Sequence, residues 1–447
     1  MTGIQQGDIG QLLGQFETFA SNGASSAPAW LKRKREQAIQ RFAELGFPTT
    51  KQEKWRFTSV RPITEHAFTL SADTYTLAPE QLEPLFLPVV GGIRLVFVNG
   101  AFAEGLSSIP ELAKGVVVCP LSAALDEHGE LVEEHLGRYA PIDDNAFVAL
   151  NTAFATDGLF VQVPADTKVD QLLEVVYFTT GGDEPIMTHP RSLVVLERGA
   201  SIRLIETYAG ASGRPYMTNA VTEIVVGDHA RADCYRIQRE GDRAYHVATT
   251  HSRQARDTEY SQTPIVFGAA LTRHDIWMAM DGEGGEGTLN GLYLTDGRQH
   301  VDHSTVIEHA VPHCDSHEYF NGIVAGQSRA VFNGRIIVRR GAQKTDSKQT
   351  NNNLLLSENA RADSQPQLEI YADDVRCTHG ATLGPLDDNA LFYLQTRGMS
   401  AESARSLLTY GFGVEILDRM KIPELREQID SLVKARLAAV ERGRGRT

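Results

Sequence analysis

The chain has 447 residues, with 43 Lys and Arg against 57 Asp and Glu, a formal net charge of -14. That length exceeds what one hydrophobic core usually serves, so a large domain with smaller ones appended is expected. The acidic balance opposes non-specific binding to nucleic acid or anionic membrane, and soluble protein partners fit better. Four scattered cysteines (Cys119, Cys234, Cys314, Cys377) without a CxxC pair exclude a disulfide framework and an autonomous zinc or cluster module. A reducing cytoplasmic setting follows as the expectation. The opening MTGIQQGDIGQLLGQF lacks a basic start followed by an apolar run, and no segment is apolar for long enough to span a bilayer, so neither export nor membrane insertion is expected.

In chain order, Leu12, Leu13, Phe16 and Phe19 recur at helical spacing, and the small polar stretch SNGASSAP then predicts a loop. A second helix carries Trp30, Leu31, Ala38, Phe42 and Leu45 and ends at Gly46 and Pro48. Its charge run, Lys32 to Arg35, reads as a solvated face. Ile93 to Val98 predicts a strand, and Leu112, Leu121, Leu125 and Leu131 fall in short, helical pieces. Residues 1–155 thus form a mostly helical N-terminal domain with a little strand.

From there the period changes to two. Runs such as LEVVYFTT, SLVVLERG, VTEIVVGD and AVFNGRIIVRRG are rich in Val, Ile, Tyr and Thr and are broken by Gly, Asn or Asp. The turns resemble one another: ERGAS at Glu197, GDHARAD at Gly227, AGQSRAV at Ala325 and SENARADS at Ser357 each lead through Gly or Asn into a small residue. Such recurrence at uneven intervals suggests the stacked coils of a solenoid, so residues 156–386 are expected to be a β-helix, with a sandwich or barrel as the alternative. In KQTNNNLLLSENA the asparagines suit the turn backbone and the leucines the core.

After Asp387 the helical period returns. Leu407, Leu408, Phe412, Ile416, Leu417 and Met420 make one apolar stripe, and Pro423 starts a helix carrying Leu425, Ile429, Leu432, Val433 and Leu437. Residues 387–447 therefore form a C-terminal helical domain whose stripe either packs at home or docks a partner. The tail ERGRGRT reads as polar and frayed.

Most motifs fall away on inspection. Gly282, Gly284 and Gly287 have GxGxxG spacing, but Glu283 and Glu286 would repel phosphate and a strand pattern follows, so the dinucleotide reading fails. No GxxxxGK[ST] and no GxSxG occur, which excludes a P-loop nucleotide site in this chain and the commonest serine hydrolase signature. His300, His303, His309, His313 and His317 lie among Asp302, Glu308, Cys314 and Asp315, but their spacing is not diagnostic of a metal site, and Pro312 breaks any strand beyond Val311. Cys377 and His379, two apart in the strand pattern of YADDVRCTHGATLG, would face the same side and form half of a metal site. Metals of this kind want four ligands, so a second chain would have to complete it.

The segment from Phe332 to Gly398, FNGRIIVRRGAQKTDSKQTNNNLLLSENARADSQPQLEIYADDVRCTHGATLGPLDDNALFYLQTRG, resembles the signature region of the SufB/SufD family of iron-sulfur cluster assembly proteins. PTTKQEKWRFT, from Pro48 to Thr58, is similar to the family's N-terminal motif, and the wording from Glu369 to Phe412 is closer to the SufD branch than to SufB. The resemblance implies a right-handed parallel β-helix between helical end domains, in a complex of SufB, SufD and two copies of the ABC-type ATPase SufC. It implies no catalytic residue in this chain and no nucleotide bound by it. ATP hydrolysis would belong to SufC, docked through the C-terminal helices, and sulfur would come to SufB from the SufS cysteine desulfurase system. His379 and Cys377 match the family's histidine and cysteine at the SufB interface, where iron or a transient cluster would be held. Three other readings stay open: a scaffold subunit without metal ligation, a homodimer when SufB is absent, and, from the solenoid alone, a polysaccharide-cleaving enzyme.

Overall fold

A computed structural model describes residues 4–22, 27–71, 77–88, 91–181 and 184–444. Part of the SNGASSAP loop and the last three residues of the polar tail lie outside this set. Its centre is a parallel β-solenoid of about seven turns, built from two sheets that face each other. In the first sheet the strands Arg191–Leu196, Tyr216–Val226, Ala244–Gln254, Leu271–Met280, His300–His309, Arg329–Val338 and Arg361–Ile370 lie side by side. In the second sheet Ser201–Gly210, Arg231–Arg239, Glu259–Val266, Glu286–Thr295, Asp315–Val324, Asp346–Leu355 and Arg376–Gly384 do the same. Each strand therefore pairs with one a full coil away, and consecutive strands alternate between sheets. Strong alternation in Val, Ile and Tyr content is what such a coil requires, since one side chain in two enters the lumen.

The lumen holds buried apolar side chains such as Leu204, Ala232, Leu289, Phe320 and Phe332, and in its middle coils buried polar groups that include the Arg236–Glu206 ion pair and Thr222. The G-x-G-x-x-G stretch forms the turn into the strand Glu286–Thr295, with Gly284 at φ +75° and no helix after it. The solenoid begins inside the mostly helical part of the chain. Strand Ile93–Val98 extends the second sheet by pairing in parallel with Leu173–Thr179, and Val117–Pro120 closes the first sheet by running antiparallel to Leu159–Val163.

Helices Ile4–Asn22, Ala29–Leu45 and Ala146–Phe154 pack together on the first coils, where Phe42, Phe147 and Phe154 meet Met187, Met217 and Val247. The segment Pro48 to Thr58 lies along the outside of the first sheet. Trp55 stacks under the Arg273 guanidinium at 4.5 Å, Arg273 Nη1 donates to the Lys54 carbonyl at 2.9 Å, and Thr58 hydrogen-bonds Asp302, which pairs with Arg273. The charge run on the second helix is only half solvated: Lys32 and Arg33 are exposed, whereas Arg35 is buried and Lys34 half-buried. Leu31, Arg35, Ala38 and Phe42 share one helix face, which is why that arginine turns inward.

At the other end of the chain, helices Ala401–Leu417 and Pro423–Arg444 cover the outside of the second sheet, and Asp388–Thr396 packs on Ala401–Leu417. Ile416, Leu417, Met420, Leu425, Ile429, Val433 and Leu437 are buried there against Ile237, Ile265, Leu292 and Ile323. The expected apolar stripe is thus largely used at home, because the sheet's outer face offers it an apolar surface. Asn321 Nδ2 to the Phe412 carbonyl (2.8 Å) and the Lys421 amide to Tyr235 Oη (2.9 Å) fix the helices in place. The apolar side chains left exposed on these helices are Phe392, Tyr393 and Leu407.

Candidate functional site: the open end of the solenoid

The last strands of the two sheets, Arg361–Ile370 and Arg376–Gly384, each have a neighbour on one side only. Their outer edges carry unpaired backbone amides and carbonyls, the form of edge that recruits another strand. Large apolar side chains are exposed around them: Ile370, Tyr371 and Leu383, the last two at 57% and 56%.

Cys377 and His379 stand on the second of these edge strands. Strand pairing puts Cys377 in line with Ser347 and His379 in line with Gln349, and both lower residues are buried inside the coil. The two candidate ligands therefore face into the lumen at its uncovered mouth, about 7 Å apart along the strand. Cys377 is half-buried against the cluster of Ile336, Val338 and Ala342, and His379 is exposed. Burial, and next the charge of Asp346, push the Cys377 thiol up, so it is not a free thiolate at neutral pH until something cationic binds it.

Beneath His379 the lumen turns polar for two coils. Gln349 Nε2 donates to Glu318 Oε2 at 2.6 Å, and one position further down the column is Leu289, fully buried. Burial pushes the Glu318 carboxyl up to about 7, against the opposing hydrogen bond from Gln349. Glu318 Oε1 and Gln349 Oε1 have no partner among the described residues. Gly334 is the cradle for Gln349, since a Cβ there would sit 2.4 Å from Nε2. A second polar file runs under Cys377: His309 Nε2 and Ser316 Oγ are 2.9 Å apart, and Ser316 Oγ and Ser347 Oγ 2.7 Å.

The histidines between His300 and His317 do not converge. His300 reaches out to Thr58 at 2.8 Å, His303 is packed in the lumen between Tyr293 and Phe320, and His313 and His317 are exposed. Burial brings His303 down to about 3 and His309 down to about 4. The Cys314 thiol donates to the carbonyls of Gly282 (3.4 Å) and Pro312 (3.5 Å). Among the described residues no group of three or more His, Cys, Asp or Glu is arranged to hold a metal ion. Cys377 and His379 thus offer two ligands at a mouth that a second chain can cover, which is the arrangement a shared site needs.

Glu318 and Gln349 escape a reading of the sequence. Glu318 lies on the same strand parity as Ser316 and Phe320, which marks it as inward, but its place under His379 depends on a coil register that only the structure supplies.

The molecule is thus a parallel solenoid with one open end, two candidate ligands at its mouth and helices on its flanks. Two family models cover nearly the whole chain: the SufBD protein N-terminal region at residues 9–175, and the SufBD core domain of the SUF system for FeS cluster assembly at residues 177–412. The chain belongs to the SufBD family of iron-sulfur cluster assembly proteins. It is 33% identical over 416 residues to a SufBD family protein of Synechocystis, covering 91% of each chain. To the iron-sulfur cluster assembly protein SufD of Escherichia coli it is 30% identical over 421 residues, 94% of this chain and 95% of the relative. The SufD of Bacillus subtilis is 26% identical over 420 residues, 92% and 94%.

Proposed function

We propose that this chain is a SufD-like subunit of a SufBCD-type scaffold, and that its open solenoid end forms one wall of a site at which iron enters and a nascent cluster is built. The observation that carries this reading is the lumen-facing pair Cys377 and His379 beside an unpaired strand edge and the exposed Tyr371 and Leu383. A SufB-like chain meeting this end would supply the missing ligands and receive sulfur from a SufS-type desulfurase. Neutral imidazole is a good ligand for iron near neutral pH, and a thiol loses its proton on binding it, so His379 is the first ligand and Cys377 the second. The cluster is cargo, built and passed on, and the chain itself is not an enzyme.

A SufC-type ATPase would dock on the C-terminal helices, where Phe392, Tyr393 and Leu407 remain uncovered. Its ATP cycle would act on the SufB interface through these helices, which are fixed to the solenoid. The setting is the cytoplasm, and without its partner the chain would pair with itself through the same edges.

The test is co-expression with SufB- and SufC-like partners and anaerobic purification, followed by iron and sulfide analysis with and without His379→Ala and Cys377→Ser. Both variants are expected to assemble the complex but with reduced iron, His379→Ala the more severely. Full iron and sulfide in an intact His379→Ala complex would leave a scaffold that orders its partners without ligating metal. Copurification without any ATPase subunit would remove the assignment altogether.

A further inference from the structure

A second place in the molecule gathers unsatisfied charge, far from the open end. Arg35, on the helix Ala29–Leu45, is 6% exposed. Its Nη2 donates to the Ala155 carbonyl at 2.7 Å, and its guanidinium carbon lies 5.3 Å from the centre of the Phe19 ring. Nε and Nη1 are buried and have no partner among the described residues. Burial alone brings the Arg35 guanidinium down to about 10, with no carboxylate offsetting it.

The small cavity that Arg35 lines is walled on two further sides by cations. Arg191, on the first-sheet strand Arg191–Leu196, is 2% exposed; it pairs with Glu223 at 2.5 Å and donates to Asn151 and Thr152, and its Nε has no partner. Lys34 is half-buried and donates to the Leu136 carbonyl. Burial moves the Lys34 ammonium down, with Glu223 and the exposed Glu133 as the carboxylates acting against that. Glu223 is already engaged by Arg191 and by the backbone amides of Gly137, Tyr139 and Ala140. Half of the remaining wall is leucine (Leu31, Leu121, Leu125 and Leu136), and Thr152 and Thr156 are its polar members.

An unpaired buried guanidinium is among the costliest arrangements a fold can contain. Something must answer these N–H groups. The cavity has about 20 Å³ of room for the centre of a water-sized sphere, where one water needs roughly 10–15 Å³. That admits a single small ion or a water and is too tight for sulfate, phosphate or an organic acid. Water is the poorer fit, because it must donate two hydrogens as well as accept: Thr152 Oγ1 and the Ala155 and Leu136 carbonyls are already engaged by Arg191, Arg35 and Lys34, which leaves the exposed Thr156 as the free acceptor on the wall. A compact monovalent anion accepts from all sides, donates nothing and tolerates contact with methyl groups.

We propose that Arg35, Lys34 and Arg191 hold a buried halide-type anion, chloride under ordinary conditions, which ties the N-terminal helix Ala29–Leu45 to the first coil of the solenoid. The site is independent of the cluster site and holds the N-terminal helices onto the β core, so its loss would loosen that cap without changing the open end.

The experiment uses the full chain crystallised in sodium bromide, read by anomalous scattering, together with thermal unfolding in sodium chloride and in sodium gluconate at equal ionic strength. Bromide density between Arg35 and Arg191 is expected. Tm should rise with chloride concentration above its value in gluconate, and Arg35→Met should abolish that chloride-specific rise. A site without bromide density overturns the proposal whatever Tm does, and this readout needs no variant to fold. A folded Arg35→Met protein that keeps the whole chloride-specific rise overturns it equally.

Discussion

The Arg273 guanidinium lies 4.5 Å from the centre of the Trp55 ring while the same group pairs with Asp302, so one buried side chain binds the N-terminal segment Pro48 to Thr58 to the fourth coil of the first sheet. The ion pair is fully buried, and removing Arg273 leaves the Asp302 carboxylate with only the Thr58 hydroxyl and also strips Asp275 of its pairing to the same guanidinium. Arg273→Met should destabilise the protein by about 3–5 kcal/mol, and Asp302→Asn added to it should recover part of that loss. Urea unfolding of the two single variants and the double variant measures this. A double variant no more stable than Arg273→Met would show that the stacking on Trp55, and not the ion pair, does the holding.

Glu318 makes a pH-dependent prediction. Its folded carboxyl is raised from 4.5 to about 7 by burial, so the native state keeps the proton over a range where the unfolded chain has lost it. Its stabilising contribution is complete below about 4.5 and is lost as pH rises through about 7. Glu318→Gln, which cannot ionise, should therefore match the parent protein at low pH and exceed it by about 3 kcal/mol above pH 7. Denaturant midpoints of the two proteins across this range test the point. Parallel curves would mean that Glu318 titrates alike in the folded and the unfolded chain, with no shift from burial.

Gly334 should tolerate no side chain. A Cβ would meet Gln349 Nε2 at 2.4 Å and the Phe332 ring at 2.7 Å. Gly334→Ala is expected to cost about 1–3 kcal/mol and to dislodge Gln349 from Glu318. Lower stability by thermal unfolding, with an upward movement of the Glu318 titration followed by NMR, is the expected pair of results, because the lost Gln349 hydrogen bond is one that holds the carboxyl down.

Leu383 is exposed at the open end and packs against nothing essential. Leu383→Arg should leave folding stability within about 0.5 kcal/mol of the parent protein. It should nevertheless abolish pairing through this end, whether with a SufB-like partner or with a second copy. Sedimentation equilibrium decides: an association constant unchanged by the arginine would move the interface elsewhere.

Much of this architecture could be read from residue order alone. Alternation in LEVVYFTT and its successors marks strands with one inward face, and the same alternation places Cys377 and His379 together on one side. Stacking was harder to see because the coil interval varies: successive partners in one column are 27 residues apart from Glu259 to Glu286 and 31 apart from Asp315 to Asp346. The surplus is absorbed in turns, which leaves the column straight and the repeat blurred. The polar shaft under His379 was invisible for the same reason, since Glu318, Gln349 and His379 are neighbours only through register. The helix stripe around Ile416 and Ile429 announced a buried face but not what buries it. Arg35 was misplaced for a simpler reason: a run of four cations reads as solvated, although its spacing from Leu31, Ala38 and Phe42 puts the last of them on the apolar side.

The two ends of the solenoid differ in a way that bears on how many chains can join. At the N-terminal end the sheets finish in the short antiparallel strands Val117–Pro120 and Ala101–Phe102, which offer little to pair with, whereas the C-terminal end finishes in full-length parallel strands. On the proposed pairing, two such chains meeting mouth to mouth would use up the full-length edge strands of both, so growth would stop at a pair and no filament would form.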